Sequence, residues 1–154
     1  MLAGLLQEER AAVEALTQQL QREYEVLKTR DAPGLEQVAH EKRLCADHLR
    51  QLMSNRLDYL RTQGFTADKP GLAAYIAAAL PADHSELAAL AADLEAAAEQ
   101  AHNQNEINGA VIAASRSYIE RALTILTGRD PSDCLYDHGS RRNFGSSNSL
   151  ISKA

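Results

Sequence analysis

The sequence contains no tryptophan, and its five tyrosines and two phenylalanines bring the aromatic content to only 5%. Without much aromatic bulk, we expect the interior to be packed by leucine and alanine rather than organised as a deep globular core. Ala, Leu, Glu, Gln and Arg are abundant among the 154 residues. This composition is typical of a single helical domain.

Clustered basic residues and long apolar runs are missing as well. The formal net charge is −5, and residues 65–128 contain eight acidic residues but only three basic ones. Nucleic acid or an anionic membrane would require grouped Lys and Arg, so we expect no nucleic-acid partner. No segment approaches the roughly 20 apolar residues that span a bilayer, and Glu8 interrupts any signal core. We therefore expect a soluble protein without direct membrane insertion.

Cysteine is scarce, with only Cys45 and Cys134. Two cysteines in a chain of this size do not make a disulfide framework. The cysteine content favours a reducing compartment, and we predict a cytoplasmic location.

Residue groups that could carry catalysis or bind a metal are incomplete. Glu99 and His102 match one half of a carboxylate-bridged di-metal signature, but the sequence has no second Glu-x-x-His. Cys45 and His48 share a helical face, yet two ligands are too few for a closed zinc site. His40 lacks the Lys-Gly arrangement that follows a phosphotransfer histidine. We expect no enzymatic activity and no cofactor, with Cys45 as a small core residue and the other candidates at the surface.

What the sequence has instead is one long regular stretch, residues 83–127. Asp83 and Glu86 fit the pattern of a helix N-cap, and Gly128 supplies a C-terminal stop. At about 1.5 Å per residue this helix would be about 67 Å long, so we expect it to be the spine of an extended bundle or coiled coil. Its seam positions alternate in steps of three and four: Leu87, Leu90, Leu94, Ala97, Ala101, Asn105, Asn108, Ile112, Ser115, Ile119, Ala122 and Leu126.

Two asparagines in this seam stand where apolar residues are expected. A buried Asn costs stability and is tolerated where it pairs across an interface and fixes the register of the helices. We predict this register role for Asn105 and Asn108.

The other segments predict shorter helices that pack on the long one. The first is amphipathic, with its Leu residues on one face and its Gln, Glu and Arg residues on the other. Short connections favour antiparallel neighbours. The predicted fold is an all-α, elongated antiparallel helical bundle or coiled coil, with three long helices and one short helix in residues 1–128 and a flexible, irregular tail in residues 129–154. The predicted helices span about residues 2–29, 35–63, 72–80 and 83–127.

The C-terminal half contains an N-x-x-N-G-x-hydrophobic-hydrophobic stretch, an aromatic-containing stretch that ends in L-x-G, and then Tyr-Asp-x-Gly. The residues of this pattern are Asn105, Asn108, Gly109, Val111, Ile112, Tyr118, Ala122, Leu123, Leu126, Gly128, Tyr136, Asp137 and Gly139. The pattern resembles that of the FlgN-type flagellar export chaperones, in which the first stretch is a helix and the last is a turn. The earlier helices match the family in layout and heptad pattern only.

The resemblance implies a cytosolic chaperone of flagellar type III export. Its clients would be the hook-associated proteins of the hook–filament junction (the FlgK and FlgL class), and it would deliver them to the export gate component FlhA. In the family, the turn tyrosine is associated with docking to this gate, which implies gate docking by Tyr136, Asp137 and Gly139. The alternative is a structural or signalling coiled-coil adaptor without chaperone activity, and a phosphotransfer bundle is a more distant one.

Apolar residues near the end of the long helix and in the tail are the predicted client-binding residues. An amphipathic surface can cover the apolar stripe of an unassembled client helix. The residues predicted to do so are Ile119, Leu123, Leu126, Phe144, Leu150 and Ile151. The same seam could also form a homodimer of the free protein.

Overall fold

The computed structural model describes residues 2–127, which form four α-helices and no strands. Three of the helices are long and one is short, so the predicted all-α helical bundle is confirmed. The helices are α1 (Leu2–Thr29), α2 (Ala32–Thr62), α3 (Lys69–Ala78) and α4 (Pro81–Thr127).

The chain divides into two units, Met1–Ala114 and Ser115–Ala154. The first unit contains α1, α2, α3 and residues 81–114 of α4. The described part of the second unit is the remainder of α4, residues 115–127. The predicted boundary at residue 128 lies at the edge of the described residues and stays a prediction.

Three helices begin two or three residues earlier than predicted, for one shared reason. Asp31 caps α2, because its carboxylate accepts a hydrogen bond from the Gly34 N–H at 3.1 Å. Asp68 caps α3 in the same way, through the Gly71 N–H at 2.7 Å. Each cap is followed by proline in the first turn, where the missing N–H costs no helical hydrogen bond, and α4 itself begins at Pro81. The two Asp-x-Pro-Gly segments that predicted loops are therefore helix starts.

Ion pairs between α1 and α2 show that these helices are antiparallel. Glu9 pairs with Arg56, whereas Glu23, later in α1, pairs with Lys42, earlier in α2. Helix α4 runs parallel to α1, since Arg10 contacts Asp93 and the Leu20 carbonyl accepts from Asn108. The three long helices therefore alternate in direction within the first unit.

The core of the first unit is aliphatic, as the lack of aromatics predicts. Helix α1 contributes buried leucines on one face, and α3 adds Ile76. Leu49 and Tyr59 of α2 pack against this cluster from the side. The buried cluster consists of Leu2, Leu6, Val13, Leu20, Ile76, Leu87, Leu94 and Ala101.

Three of the five aromatic residues within residues 2–127 meet where α3 joins α2. The rings of Tyr59 and Tyr75 lie 5.9 Å apart edge to face, and Phe65 stacks on Tyr75 at 5.3 Å in the same manner. The two tyrosine hydroxyls lie 3.1 Å apart, and this hydrogen bond, together with burial, raises the pKa of Tyr75. The adjacent Gly71 is required, because a Cβ there would overlap the Thr66 carbonyl.

Candidate functional site

The end of α4 carries large apolar side chains that are exposed. Ile119, Leu123 and Leu126 are 57%, 54% and 82% exposed, although Ile119 and Leu126 have the same seven-residue spacing as the buried Leu87 and Leu94 earlier in the helix. These are the three predicted client-binding residues that fall within the described part of the chain. Exposed side chains of this size grouped on one short helical segment are a common feature of protein-binding surfaces.

A second row of exposed apolar residues lies beside the first. Tyr118 and Ile125 are 67% and 81% exposed, and at about 100° per residue they lie to one side of Ile119 and Leu126. Neither residue is among the client-binding residues predicted from the sequence. Their seven-residue spacing indicates that they share one side of the helix. They are not among the seam positions that alternate in steps of three and four.

Polar residues occupy the opposite side of this segment. Arg116 donates to Glu120 at 2.9 Å, and the Thr124 hydroxyl donates to the Glu120 carbonyl at 2.9 Å. Ser117 and Arg121 complete the polar side. Residues 115–127 therefore form an amphipathic segment whose apolar side is exposed.

Earlier in α4, Asn108 forms a buried polar contact with α1. Its side chain is 1% exposed, and its amide donates to the Leu20 carbonyl at 2.7 Å and to Glu23 Oε2 at 2.9 Å. Gln104 completes the set by donating to Asn108 Oδ1 at 3.0 Å. Each polar atom of the Asn108 side chain is thus satisfied, as burial requires.

The prediction that Asn105 shares this buried seam is wrong, because Asn105 is exposed. The buried line of α4 repeats every seven residues through Leu87, Leu94, Ala101 and Asn108, and a step of three from Asn108 leads away from that line. Of the two asparagines only Asn108 is buried, so a buried contact that fixes the helix register can be made only by Asn108.

Two ion pairs between α1 and α2, each formed by a buried glutamate and a half-buried basic residue, were not predicted from the sequence. Glu9 accepts from Arg56 Nε at 2.6 Å and from Nη2 at 3.1 Å, and Glu23 accepts from Lys42 Nζ at 2.5 Å. Glu9 and Glu23 are both buried, so the expectation that every Glu of the first helix lies on its polar face is wrong for these two. Glu9 lies seven residues after Leu2, and Glu23 lies seven residues after Leu16. This spacing places both glutamates on the apolar face of the helix.

A cleft of about 890 Å³ opens between α1, α2 and α4 within the first unit. Four glutamines line it together with the ion pair between Arg22 and Glu41, whose side chains meet at 3.1 Å. None of its lining residues is Ser, Cys or His, so the cleft presents no nucleophile of these types. The lining glutamines are Gln18, Gln21, Gln37 and Gln104.

The isolated histidines and Cys45 do not come together. His40, His48 and His102 are exposed, and Cys45 is a half-buried free thiol. Across residues 2–127, no three His, Cys, Asp or Glu side chains are grouped so that they could hold a metal ion. Nor is any helix in this range long and apolar enough to cross a membrane.

The remaining predicted site residues lie outside the described part of the chain. These are the client-binding candidates Phe144, Leu150 and Ile151 and the gate-docking candidates Tyr136, Asp137 and Gly139. Their roles stay predictions.

The chain is similar to a known protein family and to a solved structure. The family model of the FlgN protein matches residues 1–142. A crystal structure of a protein from Pseudomonas aeruginosa, described as a flagella synthesis protein FlgN, is similar, with 28% sequence identity and a TM-score of 0.62. The alignment covers 80% of this chain and 93% of that one. No curated protein matches this chain.

Proposed function

The chain belongs to the FlgN family, and from this premise we propose that it is a cytosolic chaperone of flagellar assembly. Its clients are the proteins of the hook–filament junction, which it holds until the type III export gate accepts them. The similar Pseudomonas aeruginosa protein, described as acting in flagella synthesis, supports a flagellar role. The single structural observation that carries the binding role is the exposed apolar side of residues 115–127.

Export explains why such a surface is needed. A subunit that polymerises outside the cell must stay unassembled inside it, and its free assembly helices carry apolar stripes that can associate prematurely. An amphipathic helix can cover such a stripe by coiled-coil or helix-in-groove pairing. The affinity should be moderate, on the order of micromolar, so that the client is released in time.

Within the described residues, Ile119, Leu123 and Leu126 form the client-binding row. They recur at i, i+4 and i+7, which is the spacing of anchors for a partner helix. Phe144, Leu150 and Ile151 extend the client contact, and Tyr136 docks to the gate component FlhA together with Asp137 and Gly139. The work of the protein is binding without catalysis and without a cofactor.

Titration calorimetry with a purified hook–filament junction protein of the same bacterium tests this function. The full chain should bind it, and Ile119→Asp combined with Leu126→Asp should abolish binding, because two carboxylates would be buried in an apolar interface. The control is Ser117→Asp combined with Thr124→Asp, which places the same two charges at the same spacing on the polar side and should leave binding unchanged.

Circular dichroism of each variant separates loss of binding from loss of folding. Both substituted positions are exposed in the free protein, so the helical content should match that of the parent chain. A parent chain that fails to bind the junction protein, or a double variant that binds as well as the parent, would refute the proposed function.

A further inference from the structure

The burial of α4 ends at Asn108. The buried residues of this helix recur at seven-residue intervals, and Asn108 is the last of them. Residues 109–127 are all exposed or half-buried. The contact of Asn108 with α1 is directional, because its amide donates hydrogen bonds to the Leu20 carbonyl and to Glu23. Asn108 therefore fixes α4 to α1 at the last point where the described part of this helix is buried.

A glycine, Gly109, directly follows this contact inside α4. Apart from the backbone of the helix itself, a Cβ at this position would meet no atom within 4 Å among residues 2–127. The packing of this part of the chain therefore does not require a glycine here. Alanine would favour the helix more, because a glycine retains more backbone freedom in the unfolded chain and weakens the helix around it. The helix is thus weakened directly after its last buried contact.

The helical segment after this glycine, residues 110–127, is stabilised by local interactions. Its side-chain hydrogen bonds join residues of the segment itself, from Arg116 to Glu120, from Thr124 to Glu120 and from Thr127 to Leu123. Most of the stability of a helix in a protein comes from packing against other elements, and this segment has no buried residue. The segment can therefore change direction without losing a buried contact of its own.

We propose that Gly109 is a hinge in α4. Residues 81–108 stay fixed to α1, and residues 110–127 move as a helical arm that bends at Gly109, since hinges are a few residues, often small ones, that absorb changes in φ and ψ. A bend of about 30° would displace residue 121, twelve positions after the hinge, by about 9 Å. In the proposed chaperone function, on which this consequence rests, the hinge lets the exposed apolar side of residues 115–127 adjust its direction to the protein that it binds.

Distances between two spin labels on the full chain measure this bending directly. Cys45→Ala and Cys134→Ser remove the native thiols, and Ser54→Cys on α2 with Arg121→Cys on the arm supply two exposed labelling positions. Double electron–electron resonance should give a broad distance distribution for this pair. A second pair, Ser54→Cys with the exposed Glu99→Cys, places its α4 label before the hinge and should give a narrow distribution.

Gly109→Ala is the variant that decides between a hinge and a uniformly stiff helix. It should narrow the distribution of the Ser54–Arg121 pair to about the width of the Ser54–Glu99 pair. It should not lower the melting temperature, because the added Cβ meets open space. Gly4→Ala is the matched control: Gly4 is also an exposed helical glycine whose Cβ would meet no neighbouring atom within 4 Å, and its replacement should leave the width unchanged.

A narrow distribution for the Ser54–Arg121 pair in the presence of Gly109 would overturn the hinge. So would a broad distribution that Gly109→Ala leaves unchanged, an equal narrowing by Gly4→Ala, or a lower melting temperature of Gly109→Ala. These measurements need no client, so a failed hinge leaves the proposed function standing. A chain that does not bind the junction protein would refute the function, while the spin labels would still decide whether α4 bends at Gly109.

Discussion

Asn108 joins α4 to α1 by hydrogen bonds at a position of the buried line whose three preceding members are Leu87, Leu94 and Ala101. Its amide serves both the Leu20 carbonyl and Glu23, whose other carboxylate oxygen is held by Lys42. A leucine would fill a similar space but would leave these buried acceptors with fewer donors. The side chain is therefore a structural link between three helices, in addition to any role in fixing register.

We predict that Asn108→Leu lowers the free energy of unfolding by about 1–3 kcal/mol, the cost of leaving a buried polar group without its partner. Asn105→Leu is the control: it lies three residues away on the same helix but is exposed, and it should change stability by no more than about 0.5 kcal/mol. Urea denaturation measures both. A higher stability for Asn108→Leu would show that the hydrogen bonds contribute nothing net.

Asp68 links the stability of the α3 start to pH. The Thr66 hydroxyl, and after it the Gly71 N–H, hold the pKa of Asp68 below its ordinary value of 3.8. Because the folded state favours the ionised form, the stabilisation is present above about pH 4 and is lost as the pH falls through the lowered pKa. An asparagine at this position keeps a capping oxygen but cannot titrate.

We therefore expect the parent chain to exceed Asp68→Asn in melting temperature at pH 7, and this difference to shrink at pH 3. Thermal melts of both proteins at the two pH values measure it. A difference that stays constant across this range would mean that the Asp68 carboxylate is not preferentially ionised in the folded chain.

At the scale of the helices, the ion pairs of the buried Glu9 and Glu23 set the register of α1 against α2. Glu9 and Glu23 are fourteen residues apart on α1, and their partners Arg56 and Lys42 are fourteen apart on α2. A slip of one heptad would place one of the glutamates against Leu49 and leave both without a basic partner. A buried unpaired carboxylate is costly, so the pairs select one alignment.

A charge swap tests this account. Arg56→Glu alone should lower the free energy of unfolding by about 3 kcal/mol or more, because it places two carboxylates together in a buried site. Glu9→Arg combined with Arg56→Glu should recover a large part of that loss. The control is Lys69→Glu, in the exposed pair with Glu95, which should cost less than about 1 kcal/mol. A double swap no more stable than Arg56→Glu would show that the pair does not determine the alignment.

How far the sequence predicts these elements depends on the type of signal. Apolar periodicity locates the three long helices, because it follows from the geometry of the helix, whereas the short α3 is predicted from its alanine-rich composition. The starts of α2 and α3 are missed, because an Asp-x-Pro-Gly segment is compatible with a turn as well as with a capped first turn. Buried charges are missed because Glu9 and Glu23 need partners from another helix, and a single helix pattern does not show which residues will meet.

The sequence likewise predicts only part of the candidate site. Ile119 and Leu126 have the spacing of the buried leucines of α4, so the pattern identifies an apolar side. Whether that side is covered depends on contacts that the pattern of one helix does not show. Only the structure shows that the last turns of α4 are exposed.

For the molecule as a whole, the proposed function separates client binding from gate docking along the chain. We predict that Tyr136→Ala keeps the helical content and the affinity for the junction protein but loses binding to the gate component FlhA, at a cost of about 2 kcal/mol or more if the ring is a buried anchor. Circular dichroism and two binding assays on the same variant measure this. Loss of client binding together with gate binding would show that Tyr136 is a client residue or a structural one.

The central claim is that a client covers the exposed apolar side of residues 115–127. Amide hydrogen exchange of the full chain, measured with and without the purified hook–filament junction protein, tests it most directly, because an exposed helix end opens readily and exchanges fast. The account predicts strong slowing of exchange in residues 115–127 when the junction protein is bound, with little change in α3. Unchanged exchange in residues 115–127 under conditions in which the complex forms would contradict the account.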